Sequence, residues 1–164
     1  MHIAINGLFL QHPHTGTGQY TLHLLEALAA QEDGHTYTIF VDPGGYRPAN
    51  LGDAVRFQAG YARNLPTSAL RKLHAEQIGF PLACRRAGAQ VAHVPYFAPP
   101  LVKACPTVTT IHDLITLLLP EYSGGAPSRR FGMAVAAYNR LVSTAARRAD
   151  AIIADSEHSK RDIV

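Results

Sequence analysis

A glycine-rich segment, Gly16-Thr17-Gly18, stands between a short apolar run and a stretch in which leucines recur at helical spacing. Glycine lets backbone N–H groups approach an anion closely, and the positive end of a helix dipole favours negative charge at the same place. The segment therefore predicts a binding site for a phosphate or diphosphate. The alternative is a plain tight turn, because Thr21 occupies the place of the third glycine of a dinucleotide fingerprint.

A histidine and an aspartate, His112 and Asp113, follow a short β-branched segment. An imidazole can change its charge near neutral pH, and an adjacent carboxylate can fix its tautomer and orientation. The pair therefore predicts a catalytic site in which His112 orients a ligand or stabilises the charge of a leaving group. The alternative is structural: His112 is then a hydrogen-bonded histidine at a strand end, and Asp113 is a cap for the following turn.

Two further groups of residues follow predicted strands. Tyr96 and Phe97 lie in a proline-rich segment, where they predict a stacking wall for a sugar or lipid, with core packing as the alternative. Asp155 indicates a strand-end turn, and Ser156 indicates a helix N-cap. Ser156 is also predicted to line a ligand-binding cleft.

The histidines and cysteines give no metal-ligand pattern. His12 and His14 have no matching cluster elsewhere in the sequence, so they are interpreted as part of a solvated loop. Cys84 and Cys105 stand in unrelated segments and predict buried thiols in a reducing compartment. We therefore expect neither a metal nor another cofactor.

Alternating strands and helices must position these candidate residues. Apolar and β-branched runs predict strands at His2–Asn6, Thr36–Val41, 54–58, Val91–Val94, Thr107–Ile111 and Ala151–Ala154. Helical spacing and caps predict helices at 17–31, from Thr67 toward Arg86 with a bend near Gly79 and Pro81, from Ser128 onward after a loop at 120–127, and after Ser156. The pattern predicts an α/β fold, Rossmann-like and doubly wound, with a mostly parallel sheet and helices on both faces. Ligands bind such a sheet beyond the carboxyl ends of its strands, which is where the candidate residues fall.

Composition indicates one folded domain. The chain has 164 residues, of which 47% are hydrophobic and only 16% are charged, and this excludes a disordered chain. No apolar run has the length of a membrane span, and the first residues predict a strand rather than a secretion signal, so we expect a cytoplasmic protein. The net charge of +3 is too small to indicate nucleic acid as a partner. The pairs Arg85-Arg86 and Arg147-Arg148 complement the dipoles of two predicted helix ends, with phosphate binding as the alternative.

The order of these segments resembles the N-terminal half of the retaining glycosyltransferases of family four, in which two Rossmann-like domains face each other in the B-type fold. The resemblance covers the chain from Met1 to Val164. The matching segments are Gly16-Thr17-Gly18-Gln19-Tyr20-Thr21, His93-Val94-Pro95-Tyr96, Thr110-Ile111-His112-Asp113-Leu114, Pro120-Glu121-Tyr122, and the run from Ala154 to Ile163, which contains a Ser-x-x-Ser-Lys pattern.

The resemblance implies an enzyme that moves a sugar from a nucleotide-sugar donor to a sugar or lipid-linked acceptor and retains the anomeric configuration, in general without a metal. It implies that Gly16, Thr17 and Gly18 lie near the donor diphosphate and that His112 lies at the donor sugar. It also implies that an N-terminal domain such as this one mainly shapes the acceptor site. Peripheral membrane association of the full enzyme is a further partner option.

The resemblance also implies a second, donor-binding domain that carries a pair of glutamates. No residue of the chain matches that pair, so we expect residues 1–164 to be the acceptor-side domain and to be inactive alone. The alternative is a stand-alone module that binds a nucleotide or phosphorylated ligand without chemistry. A flavodoxin-like or response-regulator-like domain is a weaker third option, because Asn6-Gly7 after the first strand offers no acidic cluster.

Overall fold

Six parallel strands form the single sheet of the computed structural model, which describes residues 1–31, 33–60, 65–118 and 129–164. The strands are β1 (His2–Asn6), β2 (Thr36–Val41), β3 (Val55–Ala59), β4 (Val91–Val94), β5 (Thr107–Ile111) and β6 (Ala151–Ala154). Their order across the sheet is β3-β2-β1-β4-β5-β6, the order of a doubly wound Rossmann fold. The predicted fold class is therefore confirmed.

The described helices lie between or after these strands. They are α1 (Gly16–Ala29), α2 (Ser68–His74), α3 (Phe80–Ala87), α4 (Ile115–Leu118), α5 (Arg129–Ala146) and α6 (Glu157–Ile163). A 3₁₀ turn, Leu8–Gln11, separates β1 from α1, and a π-turn, Ala75–Gly79, joins α2 directly to α3. None of the helices in the described part of the chain combines the length and the apolar character that crossing a bilayer requires.

The described strands and the helix α1 begin and end within two residues of their predicted positions. All strands match their predicted ranges except the third, which lies one residue further along at Val55–Ala59. Helix α1 begins one residue earlier than predicted and ends at Ala29. The π-turn Ala75–Gly79 lies close to the position of the predicted bend at Gly79 and Pro81, and the backbone stays helical through Phe80, so the bend itself stays a prediction. The short α4 was not predicted, and Ser128 and the loop at 120–127 lie outside the described residues.

Hydrophobic side chains pack on both faces of the sheet. On one face, Leu25 of α1 packs with Ile5 and Ile39. On the other, Phe80 of α3 and Val142 of α5 pack in a second cluster. Strand β1 lies between β2 and β4, so strand order reverses beside β1. A crevice opens at such a reversal, beyond the carboxyl ends of the strands. The position of each candidate residue relative to this edge therefore decides whether it can contact a ligand in the crevice.

Candidate functional site

His112 lies directly after β5, and both of its ring nitrogens contact hydrogen-bond acceptors. Its Nδ1 atom is 2.9 Å from Oδ2 of Asp155, and its Nε2 atom is 3.2 Å from the backbone oxygen of Pro95. The ring is therefore fixed on two sides, by a side-chain carboxylate and by a backbone oxygen.

The carboxylate that contacts His112 is not the adjacent one. We predicted that Asp113 would fix the imidazole, but its Oδ1 atom accepts a hydrogen bond of 3.0 Å from the backbone N–H of Ile115. Asp113 thus caps the start of α4, as the structural alternative proposed, and Asp155 takes the place beside His112. The correction has a simple cause, because an aspartate readily bonds to the backbone two residues further along.

Strand pairing explains why Asp155 reaches His112. Ile111 at the end of β5 pairs with Ala154 at the end of β6. The next residues, His112 and Asp155, therefore leave neighbouring strands at the same edge. The sequence signal was the occurrence of a polar residue after each of two strands, but only the strand order shows that these two strands are neighbours.

Tyr20 of α1 holds the other side of the His112 ring. The two rings meet edge to face, with centroids 4.6 Å apart and an interplanar angle of 74°. The Tyr20 hydroxyl is 3.2 Å from Oγ1 of Thr110, which in turn is 3.0 Å from Nε2 of His93. Burial lowers the pKa of His93 to about 4, so this ring is neutral at pH 7. Sequence reasoning missed the positioning roles of Tyr20 and His93.

The two serines of the Ser-x-x-Ser pattern connect α6 to His112. Oγ of Ser156 accepts a 3.0 Å hydrogen bond from the backbone N–H of Ser159, which confirms Ser156 as the N-cap of α6. Oγ of Ser159 donates to the backbone oxygen of His112 at 2.6 Å. Ser156 is thus connected to His112 through Ser159, and since Ser156 is itself exposed its assignment to the cleft stays a prediction.

The glycine segment forms the first turn of α1 rather than a turn before it. Oγ1 of Thr15 accepts a 3.2 Å hydrogen bond from the backbone N–H of Gly18 and so caps the helix. That amide is consequently occupied. The amides of Gly16 and Thr17 belong to the first helical turn, where no acceptor exists within the helix. They are the two amides of the segment that suit an anion.

The two glycines differ in their surroundings. A Cβ atom on Gly18 would overlap the backbone oxygen of His12 and lie 2.9 Å from Cα of Pro13. A Cβ atom on Gly16 would meet nothing within 4 Å. Gly18 is therefore required by close packing of α1 against the preceding loop, whereas Gly16 faces open space.

The predicted aromatic wall is largely part of the core. Tyr96 is buried, and its ring packs edge to face against Phe9 with centroids 4.7 Å apart. Phe97 is half-buried against the same hydrophobic cluster. Burial removes the Tyr96 ring from any ligand, so of the two interpretations given for this residue, core packing describes its surroundings.

A second polar cluster, which sequence reasoning missed, lies beside Tyr96. Glu76, on the π-turn, is completely buried. One of its oxygens accepts from Nζ of Lys72, and the other accepts from the Tyr138 hydroxyl at 2.9 Å. Loss of hydration raises the pKa of the Glu76 carboxyl, and the Lys72 charge partly opposes this rise. The cluster joins the π-turn to α5 and has no contact to His112 among those described.

The histidines and cysteines of the described residues form neither a metal-binding cluster nor an activated thiol. Within the described residues, no group of three or more His, Cys, Asp or Glu side chains could hold a metal ion. His12 and His14 are exposed. Cys84 and Cys105 are free thiols, and burial raises the pKa of Cys84 to about 12, which keeps it protonated and unreactive.

A family model described as Glycosyltransferase Family 4 matches residues 14–164. No curated protein matches the chain. The matched range begins just before Gly16 and includes His112, Asp155, Ser156 and Ser159, whereas β1 lies before it.

Proposed function

Because the chain belongs to glycosyltransferase family 4, we propose that it is the acceptor-side domain of a retaining enzyme that uses a nucleotide-sugar donor. The observation that carries the proposal is the position of His112. Its ring lies at the carboxyl ends of β5 and β6 and is held by Asp155, Tyr20 and a backbone oxygen. A preorganised donor of this kind stabilises negative charge that develops on a leaving group.

In its proposed role, His112 contacts the nucleotide-sugar through Nε2, which makes the weaker of the two hydrogen bonds of the ring. The bond from Nε2 to the Pro95 oxygen, at 3.2 Å, is at the long end of the usual range, whereas the bond to Asp155 is 2.9 Å. When a nucleotide-sugar occupies the crevice, an oxygen of the sugar or the diphosphate shares the Nε2 hydrogen with the Pro95 oxygen. Asp155 meanwhile keeps hold of Nδ1, so the ring does not lose its orientation.

The proposed diphosphate contact lies close to this ring. Tyr20, which packs on His112, stands four residues after Gly16, and four residues are about one turn of an α-helix. The first turn of α1, with the amides of Gly16 and Thr17, is therefore a near neighbour of His112. A helix of this length concentrates partial positive charge at its first turn, which suits an anion.

A titration of the isotope-labelled chain with uridine diphosphate tests this proposal. We expect the amide signals of Gly16 and Thr17 and the ring signals of His112 to shift together, with a dissociation constant of about 1 mM or weaker, because in the proposed enzyme a second domain supplies the other contacts to the nucleotide. Inorganic pyrophosphate should shift the same amides, and the amide of Gly18, which is bonded to Thr15, should respond least.

Three outcomes would count against the proposal. Shifts that avoid both Gly16 and His112 would remove the donor site from this crevice. Micromolar binding by the chain alone would favour the stand-alone binding module, since such a module needs no second domain to complete its site. Measurable sugar transfer by the chain alone would contradict the expectation that catalysis requires a donor-binding domain.

A further inference from the structure

An exposed tyrosine stands at the same edge of the sheet as His112, on the other side of β1. Tyr46 lies in the loop that follows β2 and is 51% exposed, and it is the only exposed tyrosine among the described residues. A single exposed aromatic residue needs no explanation by itself. Two further conditions decide whether it can serve a ligand: the ring must start from a fixed main chain, and polar groups must stand near it.

Backbone hydrogen bonds fix the loop that carries Tyr46. The N–H of Tyr46 donates to the backbone oxygen of Leu10 at 2.9 Å, so the loop after β2 is bound to the 3₁₀ turn after β1. The N–H of Gly45 donates to the backbone oxygen of Asp42 at 2.8 Å and closes a tight turn directly before the tyrosine. Leu10 is completely buried. The anchor of Tyr46 therefore belongs to the core of the domain.

Glycine at position 7 allows the loops after β1 and β2 to lie this close to each other. A Cβ atom on Gly7 would lie 2.8 Å from Cγ1 of Val41 and 2.9 Å from the backbone oxygen of Phe40. The N–H of Gly7 donates to the same Phe40 oxygen at 2.8 Å, which extends the pairing of β1 with β2 beyond Asn6. A side chain at position 7 would push the two loops apart, so the fixed place of Tyr46 depends partly on this glycine.

Two polar side chains stand near Tyr46. Asp42 is the first residue after β2, and Gln11 is the last residue of the 3₁₀ turn. Nε2 of Gln11 donates to Oδ2 of Asp42, so each side chain holds the other in place. Within the described residues, neither Oδ1 of Asp42 nor Oε1 of Gln11 makes a hydrogen bond, and both are acceptors. We call Gln11, Asp42 and Tyr46 the Tyr46 platform.

The Tyr46 platform and His112 lie on opposite sides of the crevice. Asp42 follows β2 and His112 follows β5, and these two strands are three places apart in the sheet. Neighbouring strands are about 4.8 Å apart, so the two residues leave the sheet at a separation of about 14 Å. The donor sugar proposed above lies at His112. The separation leaves room for a second sugar ring between it and Tyr46.

We propose that the Tyr46 platform binds a sugar ring of the acceptor. An aromatic ring packs against the C–H groups on one face of a pyranose, and a carboxylate accepts stronger hydrogen bonds from its hydroxyl groups than a neutral oxygen does. Tyr46 supplies the stacking surface, while Asp42 and Gln11 supply the acceptors that fix the orientation of the ring. The role as an acceptor site rests on the proposed transferase function, whereas sugar binding itself can be measured on the chain alone.

The platform provides what the sequence predicted at another place. Tyr96 and Phe97 were expected to form a stacking wall, but the ring of Tyr96 is buried. Tyr46 offers an exposed ring at the same edge of the sheet, next to acceptors that Tyr96 lacks. The proposal therefore assigns a sugar, rather than a lipid chain, as the part of the acceptor that this edge recognises.

A titration with methyl glycosides tests the proposal. The isotope-labelled chain is titrated with the methyl glycosides of glucose, mannose and galactose, and its nuclear magnetic resonance signals are followed. We expect at least one glycoside to shift the ring signals of Tyr46 and the amide signal of Gly45, with a dissociation constant of about 10 mM, because one sugar ring makes few contacts. The ring signals of Tyr37, which is buried, serve as the internal control.

Three variants separate stacking from the structure of the loop. Tyr46→Ala removes the ring and should weaken binding by about tenfold, measured on the amide signal of Gly45. Tyr46→Phe keeps the ring and is the matched control, so it should retain most of the affinity. Asp42→Asn should weaken binding about fivefold, because its hydrogen bond to a sugar hydroxyl loses the negative charge. Unchanged thermal melting will show that the variants are folded.

Two results would overturn the proposal. The first is the absence of shifts at Tyr46 and Gly45 with all three glycosides. The second is equal binding of a glycoside by Tyr46→Ala and the unmodified chain. Failure of the proposed function gives a different result, in which uridine diphosphate leaves Gly16 and His112 unchanged while a glycoside still shifts Tyr46. That result would support a sugar site at the platform and remove the donor site from the crevice.

Discussion

Two contacts between a basic side chain and a carboxylate, Lys72 with Glu76 and His112 with Asp155, differ in the exposure of the carboxylate. Glu76 is completely buried, and the chain itself satisfies both of its oxygens. The Asp155 side chain is 42% exposed at the edge of the sheet. The first contact joins the π-turn to α5 and leaves nothing for a ligand, whereas the second holds a ring where solvent and substrate can reach it. Disruption of the first should therefore affect stability, and disruption of the second should affect function.

The largest effect is expected for Lys72→Met. This variant leaves the buried Glu76 carboxylate without its opposite charge, and because Lys72 itself is 40% exposed the cost should lie at the low end of the range for a buried pair, about 3 kcal/mol. We expect a decrease of that size in the free energy of unfolding, measured by urea denaturation. The double variant Lys72→Met/Glu76→Gln should recover most of the loss, because a neutral amide can still accept from Tyr138. A double variant as unstable as the single one would show that the pair acts through packing alone.

The loss in Lys72→Met should also depend on pH. Burial raises the pKa of Glu76 in the folded chain, so the folded state binds this proton more tightly than the unfolded state, and stability falls as pH rises through the folded pKa. Removal of the Lys72 charge raises this pKa further. The variant should therefore lose less stability near pH 4, where glutamate is largely protonated, than near pH 7. Equal losses at both pH values in urea titrations would contradict this account.

The next effect concerns His112 and rests on the proposed function. In a protein that joins this chain to a donor-binding domain, His112→Ala should lower kcat by about a hundredfold, the scale of losing one preorganised donor. Its melting temperature should change little, because the ring lies at the edge of the sheet. Glu26→Ala is the control, since Glu26 is exposed and its contact with His23 is also exposed. Full turnover combined with a lowered melting temperature would make His112 structural.

A smaller effect is expected for Asp155→Asn. The amide oxygen can still accept the Nδ1 hydrogen of His112, but the charge that strengthens this hydrogen bond is lost. We expect kcat to fall by about tenfold, a step of 1.4 kcal/mol in the barrier, with little change in stability. The ring signals of His112 in nuclear magnetic resonance spectra should move, because the ring loses its charged partner. Unchanged ring signals and unchanged kcat would assign Asp155 to turn formation only.

The fold was predictable because each strand is a compact apolar or β-branched run that ends at a polar residue or at glycine or proline. Val91–Val94, for example, ends directly before Pro95. His112 was identified for the same reason, because it follows such a run. Its partner was not, since sequence places Asp113 beside it and only strand pairing places Asp155 there. Asp113 instead accepts a hydrogen bond from the nearby backbone N–H of Ile115, which leaves Asp155 as the carboxylate that contacts His112.

Other features could not be predicted because they depend on how distant segments pack. No sequence pattern marks the π-turn. A glutamate within a helical run is usually exposed, and only the structure shows that Glu76 is buried against Lys72 and Tyr138. Tyr96 was open to two interpretations, and its contact with Phe9, far away in sequence, decides between them. The diphosphate contact of Gly16 and Thr17 stays a prediction.

The two glycines at the start of α1 should tolerate mutation very unequally. Every missense change of a glycine codon adds at least a Cβ atom, and at Gly18 this atom collides with the main chain of His12 and Pro13, which cannot rotate away as a side chain can. At Gly16 the same change meets open space. In a saturation library selected only for folding, position 18 should be recovered almost entirely as glycine, while position 16 should accept many residues. Selection for binding of the nucleotide-sugar should then reduce the number of residue types accepted at position 16 as well.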